Sequence, residues 1–433
     1  CRLSFRPRGP MDPWLLVILA FLVAAHGLET ISSLLNLRAL APQPPAELAA
    51  FFDLPSYEKS VRYTRAVTRL SLWRESMSLA AVVLFSVTGG FDTLDRWLRG
   101  LIEHPLLIGL LFVATLLLFT FVLDLPFSLY RIFVIEERFG FNRTTASTYI
   151  TDLLKALLLV LCLGGPLLAF VLWFFTNAGP LAWLYSWGAI AVFSIAINVL
   201  APVLILPLFN TLTPLKEGPL ADDINHYARR QNFAIQGVYT MDGSKRSSKA
   251  NAFFTGIGRF RKVVLFDTLV AKLSPQEIVA VLAHEIGHCK LHHVLKNLIA
   301  SLLQGLAMLW LLSLFLELER ISIAFGMSQP SVHASLIFFS IVFTPCSLIV
   351  SACFNAVSRS YEYAADQFAA TTLNDSTQLA TALKKLSAAN FSHLTPHALA
   401  VLLHYSHPPI LSRIARLERS PAPEETRSVP RRS

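Results

Sequence analysis

The sequence predicts a mainly α-helical, multi-pass membrane protein with a small α+β unit inserted between its membrane helices. Hydrophobic residues make up 54% of the 433-residue chain and charged residues only 15%, and the mean hydropathy is +0.53. A chain of this composition is too apolar for a soluble globular protein. Several apolar runs are long enough to cross a bilayer, and a polar stretch between two of them carries helix and strand patterns.

Seven apolar runs are predicted to be membrane helices. The first two are short or weakly bounded, and a buried or interfacial helix is the alternative for each of them. Short loops join the second to the fifth run, so these helices are expected to be antiparallel neighbours. The seven runs are Trp14–Leu28, Met77–Gly90, Leu106–Leu123, Leu153–Thr176, Leu181–Leu208, Leu295–Leu316 and Ser335–Phe354.

The polar stretches divide the rest of the chain. Residues 1–10 precede the first methionine and are excluded from the fold as an upstream extension. The first five membrane helices are expected within 11–208 and the last two within 294–357. An α+β insertion takes up 209–293, a helical segment takes up 358–417, and a tail rich in Pro, Glu and Arg, 418–433, is expected to be disordered.

The insertion has one amphipathic helix and two or three strands in its pattern. Leu220–Gln231 is predicted to be the helix. Ile235–Thr240 and Arg261–Phe266 are rich in β-branched and aromatic residues and are predicted to be strands, and Asn251–Phe254 is a candidate third. Gly256 and Gly258 mark a turn between the last two strands.

The net charge of +9 is distributed unevenly along the chain. With seven spans, six of the 37 basic residues fall on one side of the membrane and the other 31 fall on the opposite side or in the C-terminal region. This asymmetry places the insertion and the C terminus in the cytoplasm. No basic patch is interleaved with aromatic residues, so the sequence does not predict a nucleic-acid partner.

A metal site is predicted by the H-E-x-x-H motif at His284, Glu285 and His288. Histidines four residues apart lie on one face of a helix and can bind the same ion. Glu285 is not a third ligand but lies beside the open coordination position, where it can accept the proton of a water molecule. Ser274 and Glu277 form a capping box with a proline between them, so the helix is expected to begin there.

A catalytic zinc ion needs three protein ligands and one open position. Leu291 and Val294 stand where the metzincin arrangement requires Gly and His, which excludes that arrangement. His292 continues the row of histidines, but one straight helix cannot wrap three turns around a single ion. Glu362 is the preferred third ligand, and Asp366, one turn later, is placed to hold a ligand imidazole; the alternative is an exposed acidic pair. Four other histidines have no partner pattern and are interpreted as structural or surface residues: His293, His393, His397 and His404.

Taken together, these motifs resemble those of the type I CAAX prenyl proteases, a family of integral-membrane zinc endopeptidases. The resemblance runs from about the first span to Leu417 and rests on several motifs in one order. They are Gly140-Phe141-Asn142, Leu206-Pro207-Leu208-Phe209-Asn210 with Thr213-Pro214-Leu215, Ser244 to Ser248 leading to Asn251-Ala252-Phe253, Val264 to Leu269, His284 to His288, Ser358-Arg359 with Glu362 and Asp366, and Ser406-His407-Pro408-Pro409 with Arg413.

The resemblance implies seven long helices around a large internal chamber, with one Zn²⁺ per chain and a peptide or protein substrate that is prenylated or membrane-associated. It makes Glu362 the third ligand and Glu285 the general base. It also implies that His407 stabilises the oxyanion and that Arg413 braces the acidic ligand. Asn251 and Ala252 would lie on the strand that aligns the substrate backbone, which fits β-augmentation.

The sequence departs from the family pattern at three positions. Lys249 and Ala250 precede the Asn-Ala pair, where eukaryotic members usually have His and Ser, and Cys289 stands where an aromatic residue is common. These departures put the prenyl preference in doubt. Lys249 and Ala250, together with the short loop between the sixth and seventh spans, favour a bacterial protein of the inner membrane, with the endoplasmic reticulum membrane as the eukaryotic alternative.

Two other functions remain open from the sequence. A membrane quality-control metalloprotease would use the same chemistry without requiring a prenyl group. A membrane scaffold or transporter with a structural zinc ion is the alternative of another class, although a structural site has no use for a base such as Glu285.

Overall fold

The computed structural model describes residues 11–255 and 261–419. The N-terminal extension, the turn expected at Gly256 and Gly258, and residues 420–433 of the expected tail lie outside the described residues. The described helices are α1 (Pro13–Arg38), α2 (Leu54–Thr88), α3 (Gly90–Arg99), α4 (Pro105–Phe139), α5 (Ala146–Asn177), α6 (Gly179–Phe209), α7 (Pro219–Arg230), α8 (Asp267–Val270), α9 (Pro275–Lys290), α10 (His293–Leu316), α11 (Glu319–Ala324), α12 (Val332–Leu373), α13 (Thr377–Asn390), α14 (Ala398–His404) and α15 (Ile410–Arg419). The strands are β1 (Leu212–Pro214), β2 (Gly237–Met241), β3 (Ala252–Thr255) and β4 (Lys262–Phe266).

The seven predicted membrane helices are confirmed. Within the described ranges, α1, α2, α4, α5, α6, α10 and α12 are long and apolar enough to cross a bilayer, so the first two runs are full spans. Most of the seven are clearly longer than the apolar runs that predicted them. Helix α2 has 35 residues and α12 has 42, whereas about 20 residues are enough to cross the hydrocarbon core. The polar residues at their ends continue the helices outside the bilayer.

The largest correction concerns the segment after the seventh span. A separate helix was expected to begin at Ser358, but α12 runs without a break from Val332 to Leu373. Pro345 lies within this helix. One helix therefore contains both the last span and the polar segment with Glu362.

The membrane helices enclose a chamber. Three adjoining cavities of about 140, 320 and 410 Å³ lie between them, and Arg74 and Asp124 line all three. The two side chains form an ion pair with 3.9 Å between Nη1 and Oδ2. Charged side chains in a membrane bundle face its interior because lipid cannot solvate them, and this chamber gives Arg74 and Asp124 such an interior.

The insertion contains a four-stranded sheet in the order β1-β2-β4-β3. The pairs β1–β2 and β3–β4 are antiparallel and β2–β4 is parallel, with Gly237 opposite Lys262. The three predicted strands are present with ends shifted by one or two residues. The sequence pattern gave no signal for β1, because it has three residues and ends in a proline. Strand β3 lies at an edge of the sheet.

The core of the insertion forms where the sheet packs on α9. Leu265 of β4 and Ile278 and Ile286 of α9 are almost completely buried. Burying a side chain of this size stabilises the fold by about 1.5–3 kcal/mol. The predicted capping box fixes the start of α9: Ser274 Oγ accepts from the Glu277 amide (3.3 Å) and Glu277 Oε2 accepts from the Ser274 amide (2.8 Å).

Arg246 attaches the insertion to the membrane helices. Its guanidinium donates to both carboxylate oxygens of Asp152 in α5, at 2.7 and 2.8 Å. It also donates to the Phe209 carbonyl oxygen at 2.7 Å and to Asn210 Oδ1 at 2.9 Å. One side chain therefore joins the insertion to the ends of two membrane helices.

Replacing Arg246 by Ala is expected to loosen this attachment. Hydrogen bonds to charged groups contribute about 1.5–3 kcal/mol each and Asp152 would lose its partner, so we expect a lower melting temperature for the detergent-solubilised protein. Lys245→Ala is the matched control, because Lys245 is exposed on the same turn. An equal change in melting temperature for both variants would contradict this role of Arg246.

Candidate metal centre

Close packing of α9 against α12 brings the two halves of the centre together. Gly287 lies where the helices meet. A Cβ atom at this position would be 3.2 Å from the Ala365 Cα and 3.2 Å from the Phe368 Cβ. Glycine is therefore required because the two helices come so close together, and not because of its backbone conformation. His284 and His288 of the same helix face α12.

The structure brings His284, His288 and Glu362 together. The two Nε2 atoms are 3.2 Å apart. Glu362 Oε1 is 3.2 Å from His288 Nε2, and Glu362 Oε2 is 3.5 Å from His284 Nε2. In a tetrahedral zinc site with bonds of 2.0–2.1 Å, ligand atoms are about 3.3 Å apart. The three donors have the spacing that such an ion needs.

Glu362 Oε2 gives independent support for an ion. This oxygen is buried, and no group in the described part of the chain donates a hydrogen bond to it. Arg413 Nη1 is 3.3 Å away but lacks hydrogen-bond geometry. Since buried carboxylate oxygens are normally satisfied, an unsatisfied one facing two imidazoles fits a metal ligand.

Asp366 and Arg413 hold the first histidine in place. Asp366 Oδ1 is 2.8 Å from His284 Nδ1, so Nδ1 donates to it and Nε2 remains free to bind a metal. Arg413 binds both oxygens of Asp366, at 2.8 and 2.6 Å. Burial lowers the pKa of His284, but the neighbouring carboxylates of Asp366 and Glu362 outweigh burial and raise the pKa to about 9.

Glu285 and His407 lie beside the three donors. Glu285 is half-buried, and burial raises the pKa of its carboxyl group while the two neighbouring imidazoles oppose the rise. His407 Nε2 is 3.5 Å from Glu362 Oε1, and 65% of the His407 side chain is exposed. A carboxylate and an accessible imidazole thus both adjoin the donor set.

The structure reveals a role for His293 that the sequence analysis missed. Its Nδ1 is 3.0 Å from Nδ1 of His288, the nitrogen that points away from the other donors. The His293 ring is buried and stacks on Tyr361 with 4.2 Å between ring centroids. His292 has a φ of +59° and ends the helical row, so the chain turns at this residue and His293 packs back against His288. The pattern of helical spacing could not show this contact.

Strand β3 contains Ala252 and passes next to α9, and Asn251 precedes it. The side chain of Asn390 binds the backbone of Ala250, the residue before Asn251. It accepts from the Ala250 amide (3.0 Å) and donates to the Ala250 carbonyl oxygen (3.2 Å). These two bonds resemble those of a neighbouring strand. Asn390 lies far along the sequence on α13, and no motif pointed to it.

Lys249 anchors the same segment to the membrane helices. Its Nζ is 2.7 Å from the Tyr63 hydroxyl in α2 and 3.3 Å from Glu136 Oε1 in α4. It also lies 4.6 Å from the centre of the Phe141 ring. The lysine that departs from the family pattern thus fills a polar and aromatic site and fixes the approach to β3.

The fold and this centre together define an integral-membrane metallopeptidase, and comparisons with known proteins agree. A profile described as "CAAX prenyl protease N-terminal, five membrane helices" matches residues 33–211, and one described as "Peptidase family M48" matches residues 214–420. The chain belongs to this family, the CAAX prenyl proteases of peptidase family M48.

Individual relatives cover nearly the whole chain. It is 33% identical to the CAAX prenyl protease 1 homolog of Oryza sativa subsp. japonica over 95% of this chain and 99% of that protein. It is 32% identical to CAAX prenyl protease 1 of Saccharomyces cerevisiae over 94% and 96%. The crystal structure of S. mikatae Ste24p superposes with a TM-score of 0.88 at 31% identity, covering 94% of this chain and all of that chain. These relatives are eukaryotic and give no support to a bacterial origin.

Replacing Gly287 by Ala is expected to separate α9 from α12 and weaken metal binding. Overpacking of this kind costs about 1–3 kcal/mol, so we expect a loss of metal affinity of roughly tenfold or more, measured by competition with a chelator. Gly305→Ala is the matched control. It adds the same methyl group to a helix, where the nearest atom is 3.9 Å away. Equal metal affinity in both variants would show that the close approach is not needed.

Replacing His293 by Ala is expected to weaken metal binding by about 10–100-fold, as is usual when a residue that orients a metal ligand is removed. His293→Gln should restore part of the affinity, because its amide oxygen can accept from His288 Nδ1. His292→Asn changes the exposed neighbour, and asparagine tolerates the positive φ at this position, so this variant serves as the control. If metal content and chelator resistance are the same in all three variants, His293 does not orient His288.

Proposed function

We propose that this metalloprotease is a zinc-dependent endopeptidase that removes the C-terminal residues after a prenylated cysteine. The observation that carries the proposal is the spacing of the three donor atoms, 3.2–3.5 Å. It suits a tetrahedral zinc ion with one position left for substrate. The relatives named CAAX prenyl protease 1 support the substrate class.

His284, His288 and Glu362 would hold the zinc ion, and Asp366 and Arg413 would orient the first histidine and the glutamate. Zinc in such a site polarises the scissile carbonyl and lowers the pKa of water to about 7. Because Nδ1 of His284 donates to Asp366, Nε2 is the nitrogen that would give up its proton when the metal binds.

Glu285 is the proposed general base. It accepts a proton from the attacking water and passes it to the leaving amine. Its raised pKa makes it a better proton acceptor than an ordinary carboxylate. His407, which is accessible and close to Glu362, donates a hydrogen bond to the carbonyl oxygen as negative charge develops on it.

Asn251 and Ala252 are proposed to bind the substrate backbone. Strand β3 is at the edge of the sheet, and no described strand pairs with its outer side. An extended peptide can therefore add to this edge by main-chain hydrogen bonds. Because β3 lies next to α9, the added strand would pass the donor set.

The proposed location of the metal centre is the cytoplasmic side of the membrane. The excess of Lys and Arg on the side of the insertion supports this orientation. For a protein with eukaryotic relatives, the endoplasmic reticulum membrane is the proposed compartment. We propose no nucleic-acid partner.

Glu285→Gln is expected to retain zinc and to lose cleavage, because the amide cannot accept a proton. General-base catalysis contributes about 10²–10⁴-fold, so the rate should fall by that factor. Zinc content is measured on the same sample, and Glu217→Gln, an exposed substitution, is the control. Unchanged cleavage by the Gln variant would exclude Glu285 as the base. Absence of cleavage by the unaltered, zinc-loaded protein would favour a scaffold or transporter with structural zinc.

The substrate class is tested with a fluorogenic CAAX peptide in farnesylated and unlipidated forms, with and without a chelator. We expect faster cleavage of the farnesylated peptide and loss of cleavage with the chelator. Equal rates for the two peptides would favour membrane quality control. Cleavage that survives removal of the metal would contradict the proposed mechanism as a whole.

A further inference from the structure

A groove on the outside of the membrane bundle has features that the peptidase reaction does not use. It lies between α2 and α4 and has a volume of about 400 Å³. Trp73 and Tyr130 line it, and these side chains are 70% and 50% exposed. Leu70 lies between this groove and the third cavity of the chamber.

Along both walls of the groove, the side chains change from aromatic to basic in the same direction. On α2, Arg69 precedes Trp73 by one helical turn. On α4, Val134 and Arg138 follow Tyr130 by about one and two turns. Each wall thus runs from an aromatic ring to a guanidinium group.

The arginine end of the groove is the end next to the peptidase unit. Tyr63 of α2 packs on Phe139 of α4 with 5.3 Å between ring centroids, and it also contacts Phe391, which follows α13. Arg138 is adjacent to Phe139 in the sequence. Tryptophan and tyrosine prefer the level of the lipid headgroups, so the groove crosses the membrane interface with its charges outward.

The two arginines of the groove have no acidic partner in the part of the chain that the structure describes. Within residues 11–255 and 261–419, no carboxylate oxygen lies within 4.0 Å of either guanidinium group, whereas Arg62 pairs with Glu58 and Arg131 pairs with Glu136, each at 3.9 Å. Guanidinium groups match phosphate oxygens in geometry and charge. Two of them at the head of an apolar groove fit a ligand with a phosphate group and a hydrocarbon tail.

We propose that this groove binds an anionic glycerophospholipid. Arg69 and Arg138 bind the phosphate group, Leu70 and Val134 flank the glycerol region, and Trp73 and Tyr130 contact the first acyl carbons. A free phosphate ion would leave the apolar walls uncovered. The cationic group of a choline headgroup would face two guanidinium groups, which favours an anionic headgroup over phosphatidylcholine.

The test uses the purified full-length protein and native mass spectrometry with phosphatidylserine and phosphatidylcholine of identical acyl chains. We expect one phosphatidylserine molecule to remain bound with at least about a tenfold preference. Arg69→Gln with Arg138→Gln should abolish this preference. Val134→Trp keeps the charge but fills the groove, and it should also weaken binding of phosphatidylserine.

Arg62→Gln with Arg65→Gln is the matched control, since it removes the same charge from exposed positions near the groove. Retention of the lipid preference in this control, with its loss in the groove variants, supports the site. An equal loss of the phosphatidylserine preference in both double variants would show that general surface charge causes it, and this would overturn the proposal. It is also overturned if Val134→Trp binds normally, or if a farnesylated peptide displaces phosphatidylserine from the groove.

Discussion

The close contact between α9 and α12 is the constraint on which the rest of the structure depends. The donor set needs three atoms placed within a few tenths of an ångström, and flexible loops do not hold side chains so accurately. Here two helices meet at Gly287 and Ala365, so backbone packing fixes the distance between His288 and Glu362. Asp366 and His293 then fix the directions of the imidazole rings. Packing sets the spacing of the donors, and hydrogen bonds set their orientation.

The same helices link the peptidase centre to the membrane. Helix α12 has 42 residues and is therefore about 63 Å long, roughly twice the thickness of the hydrocarbon core. Glu362 lies on its polar extension. Helix α9 is followed, after the turn at His292, by the membrane helix α10. Both ligand-bearing helices are thus joined to spans, and Arg246 and Lys249 add side-chain links. The insertion cannot move far without disturbing the membrane bundle.

What the sequence could predict depended on how local each signal was. The capping box of α9 and the pair His284–His288 follow from helical spacing within one segment, and the structure places both as expected. Glu362 needed an argument about membrane sidedness and a resemblance to a family, because it comes from a distant helix. Asn390 and His293 were missed because their contacts depend on tertiary packing and on the positive φ of His292. Strand β1 was missed because three residues ending in proline carry too little pattern.

The charges of the centre favour a cation for electrostatic reasons. Glu362 and Asp366 are buried beside one buried guanidinium, that of Arg413. Two carboxylates and one arginine leave a negative charge that a low-dielectric site does not tolerate. Among the chain's own groups, His284 compensates, since the carboxylates of Asp366 and Glu362 outweigh burial, raise its pKa and favour its protonated form. A metal ion needs the neutral imidazole, so its binding replaces that proton with a larger positive charge at the same place. The acidic residues that orient His284 therefore also make the site selective for a cation.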